Sequence, residues 1–142
     1  MPITFDLKPD QLLVIFRHVG NISDDEFLTF YKNFFEKPGA TDYLNLLIDL
    51  EQTKSIDRSA QALQSLAQFL REKLAGSPVQ RRVAVVAPAD ISFGLARMYE
   101  VFNDPANWEF VVFRDNGAAR VWLDVSTGSE VPGIRNTGST DG

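Results

Sequence analysis

The chain contains no cysteine in 142 residues. Thiolate catalysis, iron–sulfur clusters and disulfide scaffolds are therefore excluded. Its one histidine, His18, excludes the usual multi-histidine sites for zinc and copper. Positive charge is the minority: 14 Lys+Arg stand against 19 Asp+Glu, a formal net charge of −5. Phosphate backbones and anionic membrane surfaces need a basic face, so neither nucleic acid nor membrane is an expected partner. The Arg81-Arg82 pair precedes an apolar run and reads as the opening of a strand. No apolar run approaches the roughly 20 residues that span a bilayer. Residues Met1–Asp6 lack both a cationic region and an apolar core, so no signal peptide is expected, and the expected location is cytoplasmic. Reaction signatures are missing too: no Gly-x-Gly-x-x-Gly follows a strand, and there is no Gly-Lys-Ser/Thr phosphate loop or Gly-x-Ser-x-Gly elbow.

What is present is an alternating pattern. With 44% hydrophobic and 23% charged residues, the composition is that of an ordinary globular domain. The length argues for one domain with a sizeable core. Ile3–Leu7 and Leu12–Val19 read as an antiparallel hairpin around Pro9-Asp10. Ser23-Asp24-Asp25-Glu26 fits a capping box, and the acidic residues also suit a helix start. The helix behind it carries Phe27, Phe30, Tyr31 and Phe34 on one stripe and should end at Glu36-Lys37, before Pro38-Gly39. Core packing explains that stripe; a groove for a lipid or other hydrophobic ligand is the alternative.

Leu44–Leu50 and Val83–Ala87 are short and almost wholly apolar, as expected of parallel strands covered on both faces. Between them Ile56, Ala60, Leu63, Ala67, Leu70 and Leu74 repeat every three or four residues, which predicts a helix. Asp90 can cap another, bearing Ile91, Leu95, Met98 and Phe102. Trp108–Phe113 reads as a strand, and Asp115-Asn116-Gly117 turns into a short helix with Ala118, Val121 and Trp122. From Ser126 to Gly142, 11 of 17 residues are Gly, Pro, Ser or Thr, so residues 126–142 read as a flexible polar tail behind a domain of residues 1–125. The expected fold is α/β: a mixed, mostly parallel sheet opened by an antiparallel hairpin, in the order ββαβαβαβα.

Two phrases carry a resemblance. Phe93-Gly94-Leu95-Ala96-Arg97-Met98-Tyr99-Glu100 resembles the helix after the fourth strand in the SpoIIAA-like family, whose STAS or Sec14-type fold is shared with anti-sigma-factor antagonists and transporter tails. Val112-Phe113-Arg114-Asp115, Ala118-Ala119 and Trp122-Leu123 are similar to that family's last strand and helix. The resemblance covers residues 3–125 and implies a fold without an assigned activity. Ser55-Ile56-Asp57-Arg58-Ser59-Ala60 is similar to the stretch at which anti-sigma-factor antagonists are phosphorylated. There Ser59 matches the phosphoacceptor, whereas Arg58 replaces a serine and Ala60 a glycine.

Asp57 reads as a helix N-cap or a functional acid. A phosphate on Ser59 would meet free helix amides and could pair with Arg58. Asp90 and Ser92 are first-turn residues, for which capping is the plain role. Gly94 suits a close helix approach, and Arg97 with Glu100 falls off the apolar face as a solvated pair or an interface. His18 reads as structural or exposed. The expected function is a non-catalytic binding or regulatory domain. Its rim would comprise Asp57, Arg58, Asp90, Ser92 and Arg97, with Ser59 as candidate phosphoacceptor. A protein or small ligand is the expected partner, without metal or cofactor. A homodimer through the hairpin's edge or the Arg97 helix is a further option.

Overall fold

A computed structural model describes residues 2–54, 59–74, 80–87 and 108–129. One five-stranded sheet runs through it in the order β1-β2-β3-β4-β5. Strands β1 (Ile3–Lys8) and β2 (Leu13–Gly20) pair antiparallel, while β3 (Asn45–Thr53), β4 (Arg81–Val86) and β5 (Trp108–Phe113) each add in parallel. The two apolar runs expected at the centre do lie side by side in one direction, with Leu46 opposite Val83 and Ile48 opposite Val85. Among the described residues there are three α-helices: α1 (Asp24–Phe35), α2 (Ala60–Lys73) and α3 (Asn116–Ser129). No helix among them is long and apolar enough to cross a membrane.

Strands added successively in one direction, with crossovers of one hand, force the crossover helices onto one face. Accordingly α1 and α2 share a core with Val14, Phe16, Leu46, Ile48, Val83 and Val85. The other face, formed by Leu13, Ile15, Leu47, Ala84 and Val86, is covered by Ala119 and Leu123 of α3. Alternate strand residues thus feed two cores, which is why these strands read as unbroken apolar runs.

Local chemistry fixes the elements. Ser23 caps α1: its hydroxyl accepts from the Glu26 amide at 3.1 Å, and Glu26 accepts from the Ser23 amide at 2.9 Å. The β1–β2 connection is a 3₁₀ turn, Pro9–Gln11, closed by Leu12 at φ 52°. That left-handed backbone is unfavourable for leucine. It is held because the Leu12 carbonyl accepts from the amides of both Leu44 and Asn45, and Asn45 Nδ2 donates to the Gln11 carbonyl. The arginine pair opens β4 as expected. Arg81 is buried and donates from Nη2 to the Thr41 carbonyl at 2.7 Å; burial lowers its pKa, and nearby Asp42 opposes that shift. Arg82 pairs with Glu109 at 3.0 Å and lies 5.2 Å over the Trp122 ring, tying β4, β5 and α3 together.

Most boundaries shift by a residue or two, and three differences matter most. β3 runs on to Thr53, three residues past Leu50, because its polar end still pairs with β2 through Gln52 and Thr53. The N-cap of α2 is Ser59 and not Asp57. Apolar periodicity could not show this, since Ile56 continues the same three-to-four spacing in sequence as Ala60 and Leu63. Finally, α3 reaches Ser129, so it extends four residues into the stretch read as tail. The helix expected after Asp90 lies outside the described residues.

Candidate functional site at the carboxyl edge

Parallel strands bring their carboxyl ends to one edge, and each following helix begins there. The ends of β2 to β5 and the N-termini of α1, α2 and α3 therefore gather together. Ser59 is exposed at this edge. Its hydroxyl accepts from the Ala62 amide at 3.0 Å, and its own amide donates to Asp24 Oδ1 at 3.4 Å, linking the starts of α1 and α2. Of the residues expected on the rim, Asp57, Arg58, Asp90, Ser92 and Arg97 lie outside the described residues. The strands leading to them do leave the sheet as neighbours, since Asp49 of β3 stands opposite Val86 of β4.

An acidic group at the same edge went unnoticed in the sequence. The β2–β3 ladder slips between Arg17 and Val19, so the pairing moves from Asp49 to Gln52 and leaves an extra residue in β3. Such bulges re-aim side chains at sheet rims. Here the Glu51 amide donates to Asp49 Oδ1 at 2.9 Å. The Glu51 carboxyl is raised above its ordinary pKa, first by desolvation, then by the charge of Asp49 and a hydrogen bond to it, and last by the charge of Asp115. Asp115 also starts α3 by accepting from the Ala118 amide at 2.8 Å, a cap that its sequence context had suggested only as a turn. No three His, Cys, Asp or Glu side chains among the described residues converge to hold a metal ion.

The acidic group gives a pH prediction. A carboxyl whose folded pKa is raised opposes folding when ionised, and that opposition disappears below its unfolded pKa of about 4.3. Glu51→Gln should therefore stabilise the protein at pH 7. Because Glu51 is exposed, solvent screening holds the gain to about 0.5 kcal/mol or less. Urea titrations at pH 7 and pH 4 check this: the gain should vanish at the lower pH, and an equal gain at both would refute the assignment.

Most of the aromatic stripe of α1 is core, while half-buried Phe30 lines an open cleft beside β1 together with Phe34. Phe27, Tyr31, Phe34 and Phe35 are buried, and the Phe16 ring of β2 sits edge-on to Phe30, Tyr31 and Phe34 at centroid distances of 5.0, 5.1 and 4.9 Å. His18 is structural, buried in hydrogen-bonding contact with Tyr31.

Together these features define an α/β protein with one mixed sheet and a polar carboxyl edge whose described part carries Asp24, Asp49, Glu51 and Asp115. Comparison with known proteins adds no closer relationship: no family model matches the chain, and neither a curated protein nor a solved structure is significantly similar.

Proposed function

We propose that this protein is a non-catalytic regulatory domain of SpoIIAA-like, STAS-type character that binds a protein partner through its carboxyl edge. Phosphorylation of Ser59 would control that binding. The observation that carries this reading is the position of Ser59: exposed, capping α2, and in contact with Asp24 of α1. A phosphate adds about −1.5 to −2 charges at pH 7. Free α2 amides favour a negative group there, whereas the Asp24 carboxylate repels it. The modification would therefore change both the charge of the edge and the link between the two helix starts. The hydrophobic-carrier alternative rests on the Sec14-type resemblance and the Phe27–Phe35 face; most of that face packs on Phe16, and Phe30 and Phe34 also line an open cleft of about 530 Å³ beside β1.

The test uses affinity capture with the wild-type chain as bait, followed by binding measurements on Ser59→Asp and Ser59→Ala. Aspartate is as good an N-cap as serine, so Ser59→Asp keeps the fold within about 0.5 kcal/mol. Its expected effect is at least a tenfold loss of partner affinity, with Ser59→Ala close to wild type. A partner held equally by all three proteins would remove the proposed role of this edge.

A further inference from the structure

A second site lies beside β1 and makes no use of Ser59. Between β1 and α1 run two adjoining clefts of about 530 and 440 Å³ that share Phe5, Phe34 and Lys37. Both volumes fall in the usual range for small-molecule sites, roughly 300–1,000 Å³. The wall of the larger cleft is aromatic: the Phe5 ring of β1 has its centroid 6.2 Å from that of Phe30 and 5.3 Å from that of Phe34. This wall is open to solvent, since Phe5 is 39% exposed and Phe30 half-buried.

The charges along the clefts favour a cation at both ends. Asp25 and Glu26 line the end at the start of α1. The helix dipole contributes about half a positive charge there, less than the two carboxylates offset. At the other end Lys37 stands with Asp42, and the close of α1 adds about half a negative charge. An anion would meet net negative charge at either end.

Between those ends the chain itself shows what the aromatic wall can hold. The Lys37 ammonium lies over the Phe5 ring, 4.8 Å from its centroid. That is within the ~6 Å reach at which the negative face of a ring attracts a cation. Lys37 is exposed, and its flexible stem lets the ammonium move out into water. The cleft thus holds one ammonium already, tethered and displaceable.

We infer that this cleft binds a small organic cation, an apolar or aromatic primary amine, and that Lys37 is its built-in competitor. The apolar body of the ligand packs on Phe30 and Phe34. Its ammonium takes the place of the Lys37 ammonium on Phe5, in the field of Asp25 and Glu26. Lys37 opposes binding twice, by occupying the ring face and by like-charge repulsion.

Amide NMR titration of the isotope-labelled full chain with phenylbutylammonium, phenylbutanol and phenylbutanoate tests the inference. The three probes share one apolar body and differ in charge. The ammonium is expected to bind with a dissociation constant of about 1 mM or below, with shifts centred on Phe5, Phe30 and Asn33. The butanoate should bind about tenfold or more weakly, and the alcohol between the two. Lys37→Met keeps an apolar stem and removes the charge, so ammonium binding should tighten about threefold or more. Asp25→Asn, which leaves the Ser23–Glu26 capping box intact, and Phe5→Leu should each weaken it about threefold. The amide spectra report directly that each variant is folded. Tighter binding of the butanoate, lost in Lys37→Met, would mark an anion site and overturn the inference. So would an ammonium bound no more tightly than the alcohol, shifts centred away from the cleft, or no shifts up to about 10 mM.

Discussion

Phe16→Ala is expected to cost about 3–5 kcal/mol of folding stability. Phe16 is fully buried in the middle of β2, and rings from three α1 residues stand nearly perpendicular to it, at interplanar angles of 88°, 88° and 81°. Truncation removes the ring's transfer free energy and leaves a cavity between two elements. Neither can close it, because β2 is held by ladders on both sides and α1 is anchored by its capping box. Domains of this kind have about 5–15 kcal/mol in total, so the variant would lose a large share of its stability. Urea unfolding should show a lower midpoint with an unchanged slope, and a melting temperature lower by roughly 8–15 °C. A loss below about 1.5 kcal/mol would mean that α1 does not pack on β2 as described, since even volume-conserving core exchanges can cost that much.

The second large effect concerns the buried polar pair. His18 Nε2 and the Tyr31 hydroxyl lie 2.9 Å apart, in residues 1% and 0% exposed. Either the phenol donates to the ring nitrogen or the ring N–H donates to the phenol oxygen, depending on the tautomer. Tyr31→Phe keeps the ring and deletes the bond, leaving the imidazole in an apolar core without it. The expected cost is about 1–3 kcal/mol. Pairing it with His18→Leu separates the bond from packing: the double variant should lose less than the sum of the singles, by about 1 kcal/mol. Strict additivity in that cycle, read by urea titration, would show that the contact contributes nothing to stability.

Both predictions rest on relations that one-dimensional reading reached only partly. The α1 stripe was visible as periodicity, and Phe16 as one apolar residue among five. Their meeting needed β2 to place Phe16, rather than Ile15, on the α1 face. His18 showed no partner at any suggestive spacing, since Tyr31 is 13 residues away on another element. The Asp49–Glu51–Asp115 group was equally hidden. Two of its members belong to a strand read as ending at Leu50, and the third looked like a turn former. The contact of β1 with α1 gave a weaker signal: Phe5 alternates with Thr4 and Asp6, but alternation does not say that its ring meets Phe30 and Phe34.

By itself the sequence determined the kind and order of the described elements, the capping box at Ser23 and the parallel pairing of the two central apolar runs. Those features depend on contacts within a turn or two of chain, on side-chain alternation, or on strands too apolar to tolerate water on either face. Only the tertiary structure decided that Ser59 caps α2 against Asp24, that a bulge sets Glu51 beside Asp49, and that Phe5 lies level with the middle of α1. These relations join residues far apart in sequence, and strand register and the seating of helices fix them, for which no local spacing is a proxy.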